Sequence, residues 1–364
     1  MIFLETGSWL VYWHRNLFIF YCYAIIKIMK VGFFEINKNE REALGERFKE
    51  NELYFSEDKL DKEHLTASAD FDVVSIFVGS KIDKEVLGNL PNLKYIATRS
   101  MGYDHIDLEE CVKRNVLVSN APHYGGNTVA EWTFALILNL LRKVYKAIDQ
   151  IKETGSFNTE NLQGVELAGK TIGVIGTGRI GKEVVKIGKV FGMNVIAFDV
   201  NQDLEFAKTT GFVYEDKLEN LLEKSDIVSL HVNYSETTHH LINKENIKFI
   251  KKGGYLINTA RGPVIETEAL VWALSEKILA GAGLDVLEEE GVIKDELDFL
   301  TRGHPQEHNL KTILQDHVLM KMDNVLITPH NAFNSKEAVK RILDTTIENV
   351  KAFIDGNPIN LIKL

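Results

Sequence analysis

Three side chains with anion-binding or proton-transfer chemistry follow short apolar runs in the C-terminal half of the chain. Arg261 lies in LINTARGPVIE, Glu290 in GAGLDVLEEEG and His330 in NVLITPHNAF. An arginine fork can bind a carboxylate, a histidine exchanges protons near neutral pH, and a nearby glutamate raises the pKa of a histidine. Taken singly, each has a simpler interpretation: a solvated loop arginine, an acidic loop at residues 288–290 and a structural histidine. Together they could bind and protonate a small carboxylate-bearing molecule.

A glycine-rich turn precedes these residues, in TIGVIGTGRIG at residues 171–181. An apolar run before it and apolar residues at helical spacing after it predict a strand, a turn and a helix. Gly176 permits the tight turn, Gly178 lets the backbone approach a pyrophosphate, and Gly181 allows close helix–strand packing. The N-terminus of the helix offers its N–H groups to the phosphates. The turn therefore predicts a dinucleotide site, with a ligand-free glycine turn as the alternative.

An acidic residue at the end of the next strand decides which dinucleotide the turn favours. Asp199 lies 18 residues after Gly181 and should accept hydrogen bonds from the adenosine ribose hydroxyls. A 2′-phosphate would meet like charge there, and residues 200–202 include no arginine to hold one. We therefore predict NAD as the cofactor, in preference to NADP, and hydride transfer as its chemistry.

Short apolar runs alternate with amphipathic stretches from Met29 onward, which is typical of parallel sheets covered by helices. A helix over residues 128–153, N-capped by Asn127, is predicted between two such series. Because the glycine turn lies in the second series, the first must form a domain of its own. We predict an α/β fold of two doubly wound parallel-sheet domains, flavodoxin-like for substrate and Rossmann for NAD, with a cleft between them. The first series has four runs, at residues 30–35, 73–78, 93–99 and 116–120, and the second has seven.

The predicted substrate-binding domain covers residues 29–126, with 331–364 returning to it, and the NAD-binding domain covers 127–330. Residues 1–28 are interpreted as an appended or mis-started segment outside the fold. This segment is aromatic and apolar, but its uninterrupted run, residues 17–26, has ten residues, whereas a membrane-spanning helix needs about 20. No small-residue cleavage site follows, which disfavours a secretory signal. We therefore expect no membrane association.

Composition argues against several other partners. The 364 residues carry a net charge of −10 without a basic block, which disfavours nucleic acid. Two cysteines, Cys22 and Cys111, form neither a disulfide framework nor a Cys-based zinc site, so no metal is expected. This cysteine usage fits a reducing cytoplasm, where we expect the protein to act.

Seven stretches in order along the chain resemble one family. From Met29 onward, about nine tenths of the chain, the sequence is similar to the D-isomer-specific 2-hydroxyacid dehydrogenases, and most similar to their D-lactate dehydrogenase branch. The resemblance implies a homodimer that interconverts a small 2-oxo acid and its D-2-hydroxy acid. Pyruvate is the expected 2-oxo acid. The stretches are RSMGYDHID, NAPHYGGNTVAEW, GVIGTGRIG, DIVSLHV, LINTARGPVIETEAL, AGAGLDVLEEE and VLITPHNAF.

The resemblance also implies roles for residues at the substrate. Arg261 would bind substrate, and His330 would be the general acid/base with Glu290 as its partner. Three further positions would lie at the substrate: Val78, Gly79 and Tyr124.

On the cofactor side, the resemblance assigns contacts along the whole dinucleotide. Arg179 and Ile180 would contact the pyrophosphate, and Asp199 the ribose. The adenine and nicotinamide regions would be lined by Val232, Asn233, Thr238, Thr259, Ala260 and Asp285.

Four departures from the family pattern bear on these expectations. Asn233 replaces a common proline, and residues 125–126 are Gly-Gly where Ser-Pro is common. Asn334 stands where the lactate branch usually has tyrosine. This position belongs to the pocket wall, so the identity of the substrate side chain stays open. Residues 291–329 form a polar, charged segment of 39 residues, interpreted as a cleft-side lobe or an oligomer contact; the lactate branch also has an insertion here.

Three other protein classes share part of the pattern. A non-catalytic NAD-sensing corepressor of the same fold retains the same Arg, Glu and His, so the sequence leaves it open. Formate dehydrogenase is similar in fold but pairs its His with Gln, so Glu290 argues against it. An L-lactate or malate dehydrogenase would carry its glycine turn near the N-terminus. The helix at residues 128–153 could bury in a dimer or pack internally, so the oligomeric state also stays open.

Overall fold

The computed structural model describes residues 28–62, 64, 70–294 and 309–363, together with the backbone of three short strands before them. These strands, β1 (Ile2–Leu4), β2 (Ser8–Trp13) and β3 (Asn16–Phe20), form a separate antiparallel sheet. The other residues of the 1–28 segment, except Ile28, lie outside the described residues. The prediction that this segment lies outside the fold therefore stays a prediction. The interpretation of residues 291–329 as a cleft-side lobe or an oligomer contact also stays a prediction, because residues 295–308 lie outside the described residues.

The first large sheet has five parallel strands in the order β5-β4-β6-β7-β8. This flavodoxin-like order confirms the expected architecture. The four predicted runs each contain a strand, and β5, an edge strand with alternating exposed and half-buried residues, was missed. The strands are β4 (Lys30–Phe33), β5 (Glu52–Phe55), β6 (Val73–Ile76), β7 (Tyr95–Thr98) and β8 (Leu117–Ser119). Helices of this region are α1 (Lys38–Arg47), α2 (Lys84–Gly88) and α3 (Leu108–Lys113).

The second large sheet has seven parallel strands in the order β11-β10-β9-β12-β13-β14-β15, a Rossmann arrangement with one added strand. Each of the seven predicted apolar runs contains one strand. These are β9 (Thr171–Ile175), β10 (Asn194–Phe198), β11 (Val213–Tyr214), β12 (Ile227–Leu230), β13 (Gly254–Asn258), β14 (Leu279–Leu284) and β15 (Val325–Ile327). The helices around them are α4 (Gly126–Arg142), α5 (Val144–Thr154), α6 (Arg179–Val190), α7 (Leu204–Thr210), α8 (Leu218–Lys224), α9 (Thr267–Ser275), α10 (Glu290–Lys294) and α11 (Leu310–Met320).

The single helix predicted over residues 128–153 is wrong. Lys143 has a left-handed backbone, with φ of +51°, and divides the segment into α4 and α5. The N-cap of α4 is Gly125, so Asn127 lies within the first turn and does not cap it. No glycine or proline marks the break, which is why the sequence pattern does not reveal it. The break separates α4, which packs against the second sheet, from α5, which has no buried residue.

The C-terminal helix α12 (Lys336–Ile354) packs against the first sheet. Val350 is fully buried, and the ring of Phe353 stacks on Tyr95 with centroids 4.3 Å apart. Leu361 then forms an antiparallel bridge to Ser119 at the edge of the sheet. The chain therefore returns to the sheet in which it began.

Each large sheet carries an apolar core on both faces. Along β6, Val73 contributes to one core and Val74 to the other, because successive side chains of a strand point to opposite faces. Strands buried on both faces explain why the sequence shows continuous apolar runs. In the described part of the chain, no helix combines the length and the apolar character needed to cross a membrane.

Candidate active site

The candidate site lies where the carboxyl ends of the parallel strands meet. Gly176 follows β9, Asp199 follows β10, Asp285 follows β14, and His330 lies in the loop after β15. Because all seven strands run in one direction, these ends share one edge of the sheet, which is where open α/β sheets bind ligands.

The glycine turn has the geometry that a dinucleotide needs. Gly176 has φ of +89°, and a Cβ there would lie 2.7 Å from the carbonyl oxygen of His231. A Cβ on Gly181 would overlap the carbonyl oxygen of Gly176, so helix α6 can approach β9 only because this residue is glycine. Gly178, the N-cap of α6, has nothing within 4 Å of its missing Cβ. The turn thus leaves open space at a helix N-terminus, which fits a pyrophosphate.

Asp199 is fixed by the glycine turn that it faces. Its Oδ2 accepts hydrogen bonds from Thr177 N at 2.6 Å and Thr177 Oγ1 at 3.0 Å, and its Oδ1 accepts one from Asn201 N at 2.8 Å. The Thr177 hydroxyl also lies 2.8 Å from the Tyr214 hydroxyl. The carboxylate is therefore held in place beside the turn, where an adenosine ribose would meet it.

Arg179 connects the glycine turn to the first sheet. Its side chain is exposed, and its Nη1 donates to the carbonyl oxygen of Pro122 while its Nη2 lies 3.3 Å from His123 Nε2. Its guanidinium thus contacts the loop after β8. Ile180 is half-buried and packs on the core of the second sheet.

The loop after β12 contains three predicted cofactor residues. Val232 packs near the turn, since a Cβ on Gly176 would lie 3.0 Å from its Cγ1. Thr238 Oγ1 donates to the carbonyl oxygen of Asn233 at 2.7 Å. This bond closes the loop without the proline that is common at position 233.

The loop after β13 is shaped by Asn258, which was not singled out from the sequence. Its Oδ1 accepts a hydrogen bond from Ala260 N at 3.0 Å, and its Nδ2 donates to the carbonyl oxygen of Arg261 at 2.9 Å. The Thr259 hydroxyl lies 2.9 Å from that of Thr133 on α4. The sequence signal for such a loop is an asparagine at the end of an apolar run, because its side chain can bond the backbone of the following turn.

Arg261 reaches from the second sheet to the loop after β7. Its Nε donates to Asp104 Oδ1 at 3.1 Å, and a Cβ on Gly102 would overlap its Nη2. Burial alone would raise the pKa of the Asp104 carboxyl, but the Arg261 guanidinium lowers it below its usual range. Burial raises the pKa of Tyr124, and the charge of Arg261 partly offsets this shift. Arg261 and Tyr124 therefore share one site, with Asp104 as a partner that spacing did not reveal.

His330 is paired with Glu290. Its Nδ1 lies 2.8 Å from Glu290 Oε1, at the start of α10, and its side chain is 17% exposed. Glu288, two residues earlier, faces His240 instead, with Oε1 at 2.7 Å from His240 Nε2, and Glu289 Oε1 accepts a hydrogen bond from Asn309 N. Of the three consecutive glutamates, Glu290 is the one that meets His330.

Asp285 secures the loop that carries His330. It accepts hydrogen bonds from Thr328 Oγ1 at 2.5 Å, Asn331 N at 2.9 Å and Ala332 N at 2.8 Å. Burial raises the pKa of this carboxyl, and these bonds partly offset the shift. His330 itself has φ of +52°, a strained backbone for a non-glycine residue, and its N–H donates to the carbonyl oxygen of Asp285. Asp285 is thus bonded to the His330 loop.

The loop after β6 supplies the other predicted substrate residues, Val78 and Gly79. Val78 is half-buried, and the N–H of Gly79 donates to Glu35 Oε1 at 2.8 Å. The neighbouring ring of Phe77 packs edge-on against Phe333, with centroids 5.2 Å apart. This pair brings the β6 loop of the first sheet against the His330 loop of the second.

A Rossmann sheet with a glycine turn and a facing carboxylate, with an arginine and a glutamate-paired histidine at the same edge, is typical of nicotinamide-dependent dehydrogenases. Residues 134–332 match the family model described as D-isomer specific 2-hydroxyacid dehydrogenase, NAD binding domain. The chain belongs to this family, and NAD is its cofactor.

Relatives extend the match over most of the chain. A protein named glyoxylate reductase from Thermofilum pendens is 40% identical over 299 residues, 81% of this chain and 82% of that protein. The structure of D-lactate dehydrogenase from Aquifex aeolicus with NAD and lactic acid is 37% identical, with a TM-score of 0.82 over 92% of this chain and 100% of that one. The pyruvate reductase of Chlamydomonas reinhardtii is 32% identical, with a TM-score of 0.77 over 92% and 98%.

Proposed function

We propose that the protein is a NAD-dependent D-lactate dehydrogenase that interconverts pyruvate and D-lactate. The observation that carries this proposal is the pairing of His330 Nδ1 with Glu290 Oε1 at 2.8 Å, at the same edge of the second sheet as Arg261. A proton donor oriented by a carboxylate is what the reduction of a carbonyl requires. We also infer that residues 29–126 and 331–364 form the substrate-binding domain and that residues 127–330 form the NAD-binding domain.

The substrate is held and protonated by groups from both domains. Arg261 binds the carboxylate and polarises the carbonyl oxygen with its fork of donors, and the backbone at Val78 and the Tyr124 side chain complete the site. When bound, NADH supplies the hydride. Because Nδ1 of His330 is engaged by Glu290, Nε2 is the atom that gives its proton to the substrate oxygen and takes it back in the reverse direction.

The cofactor residues act by position and charge. The backbone N–H groups at Gly178, with Arg179 and Ile180, bind the pyrophosphate, and Asp199 accepts hydrogen bonds from the ribose. The remaining predicted contacts around adenine and nicotinamide are Val232, Asn233, Thr238, Thr259, Ala260 and Asp285.

Pyruvate is favoured by the wall of the site. Phe77 and Phe333 pack against each other and offer apolar surface to a short side chain. Asn334, which replaces the usual tyrosine, is exposed, and its Nδ2 donates to Asn331 Oδ1 at 2.9 Å. Such a wall suits a methyl group, and the side chains named here carry no charge that would bind a second carboxylate.

Reduction of glyoxylate is the second candidate function. It is favoured by the 40% identity to the Thermofilum pendens protein of that name. Steady-state kinetics over glyoxylate, pyruvate, 2-oxobutyrate and oxaloacetate, with NADH and NADPH, decides between the candidates. We expect pyruvate to give the highest kcat/KM and oxaloacetate the lowest. Absence of turnover with every acid would favour the NAD-sensing corepressor.

We further propose a homodimer whose interface includes α5. This helix exposes an apolar stripe of Tyr145, Ile148 and Ile151, with exposed fractions of 55%, 45% and 44%. A charge at its centre, Ile148→Glu, should dissociate the dimer in sedimentation velocity, whereas Lys146→Glu on the opposite face should leave it intact. The cytoplasmic location stays a prediction from cysteine usage.

A further inference from the structure

Glu35, two residues after the end of β4, lies against the loop that follows β6. Its Oε2 accepts hydrogen bonds from Phe77 N at 2.9 Å, Ser80 N at 3.1 Å and Ser80 Oγ at 2.5 Å. Its Oε1 accepts from Gly79 N at 2.8 Å. One carboxylate therefore binds four donors of the segment 77–80, and neither the mechanism nor the sequence pattern accounts for it.

The backbone of Glu35 is strained. Its φ is +54°, a left-handed conformation that costs a non-glycine residue free energy and persists only when neighbours hold it. The buried Arg99 does so, since its Nη2 donates to the carbonyl oxygens of Phe34 at 2.8 Å and Glu35 at 2.5 Å. The N–H of Glu35 also donates to the carbonyl oxygen of Asp58 at 3.0 Å. Arg99 and Asp58, both far from Glu35 in sequence, thus maintain one unfavourable backbone geometry.

This arrangement distinguishes the two predicted substrate residues of the loop. The N–H of Gly79 is engaged by Glu35, and a Cβ on Gly79 would lie 2.5 Å from Glu35 Oε1. The N–H of Val78 has no acceptor within the described part of the chain. Gly79 therefore provides room for the carboxylate, and Val78 is the residue whose N–H remains for a ligand.

We propose that Glu35 is a positioning residue that curves the 77–80 loop so that the Val78 N–H meets the substrate carboxylate. The inference rests on the proposed function, because the ligand of the loop is the carboxylate of a 2-oxo acid. Glu35 does not touch the substrate. It acts through three backbone N–H groups and one hydroxyl, and Arg99 holds it in place.

The test compares Glu35→Gln and Glu35→Ala with the matched control Glu46→Gln, an exposed glutamate on α1. Glutamine keeps the shape of the side chain but has only one acceptor oxygen. It therefore cannot accept hydrogen bonds both from Gly79 N and from the Phe77 and Ser80 donors. We expect KM for pyruvate to rise about ten-fold in both Glu35 variants, consistent with loss of one well-made hydrogen bond. We expect kcat and KM for NADH to stay within about two-fold, because neither depends on the loop amides.

Two further measurements separate positioning from general destabilisation. Amide hydrogen exchange at Phe77, Gly79 and Ser80 should quicken in Glu35→Gln, while exchange along β6 stays as in wild type. If the Glu35 variants fail to fold, Gly79→Ala displaces the carboxylate from the other side and should raise KM for pyruvate similarly.

The outcomes distinguish this inference from the proposed function. A wild-type protein that reduces no 2-oxo acid contradicts the proposed function and this inference with it. A wild-type protein that reduces pyruvate, with an unchanged KM in Glu35→Gln or in Gly79→Ala, contradicts the role of Glu35 alone. A parallel rise in KM for NADH would assign Glu35 to general stability and equally overturn its role.

Discussion

His330 faces Glu290 and not Glu288, two residues earlier: its Nδ1 lies 2.8 Å from Glu290 Oε1, whereas Glu288 Oε1 lies 2.7 Å from His240 Nε2. Two histidine–glutamate pairs are thus built on one run of three glutamates. They offer a matched comparison, because the same substitution can be made in the candidate catalytic pair and in its neighbour.

The first prediction concerns this pair. His330→Ala should lower the rate in both directions by on the order of 10² or more, the usual contribution of a positioned acid/base. Glu290→Gln keeps the shape of the pair and removes the charge that faces the ring. Because this carboxylate orients the imidazole, kcat should fall in both directions in this variant, by less than in His330→Ala, with KM for NADH unchanged. Steady-state kinetics in both directions measure this, with Glu288→Gln as the control. An unchanged kcat in Glu290→Gln would remove Glu290 from the mechanism.

Cofactor preference provides the second prediction. Asp199 is fixed beside the glycine turn by Thr177, so a 2′-phosphate would meet its charge directly. Wild type should have a higher kcat/KM with NADH than with NADPH. Asp199→Ala should narrow this ratio, because it weakens the binding of NADH. The control Asp344→Ala, at an exposed position on α12, should leave the ratio unchanged. Equal kcat/KM of the wild-type protein with the two cofactors would refute this account of Asp199.

Much of the fold could be predicted because buried parallel strands are continuous apolar runs. The strand β5 could not, since its residues alternate between exposed and half-buried at a sheet edge. The break at Lys143 has no glycine or proline to announce it. Both misses reflect tertiary context that overrides local pattern.

The site was predictable where a residue follows a strand, as Asp199, Arg261 and His330 do. Its supports were not, because Glu35 reaches the 77–80 loop and Asp104 reaches Arg261 across long stretches of chain. Spacing alone also leaves three consecutive glutamates equivalent; the family resemblance indicated Glu290, and the fold shows that this glutamate faces His330.

The third prediction concerns the N-terminal segment. The first parallel strand begins at Lys30, and Met29 N already donates to Asn51 Oδ1 at 3.1 Å. A chain that begins at Met29 should therefore keep its thermal stability and its kcat/KM for pyruvate. Circular dichroism melts and kinetics of the two chains measure this. Aggregation or inactivity of the shorter chain would show that residues 1–28 belong to the fold.

Asp316 on α11 provides the fourth prediction, on stability. It is fully buried, and burial raises the pKa of its carboxyl from 3.8 to about 7. Between these values the folded chain holds a proton that the unfolded chain has lost, so the group costs stability as pH rises. The loss amounts to about 1.4 kcal/mol for each unit of pKa difference at full effect.

Asp316→Asn removes this titration. The difference in unfolding free energy between variant and wild type should therefore move in favour of the variant as pH rises from about 4 to 8. The exposed Asp323→Asn should run parallel to wild type. Urea unfolding at a series of pH values measures the difference, and a constant offset for Asp316→Asn would contradict a buried, protonated Asp316.

Reduction of pyruvate to D-lactate with a proton from His330 can be measured by incubating the wild-type protein with pyruvate and NADH and determining the amount and chirality of the lactate formed, with His330→Ala alongside. We expect one D-lactate for each NADH oxidised, with a rate at least about 10² lower in His330→Ala. Formation of L-lactate, NADH oxidation that His330→Ala leaves unchanged, or no oxidation with pyruvate would refute this mechanism.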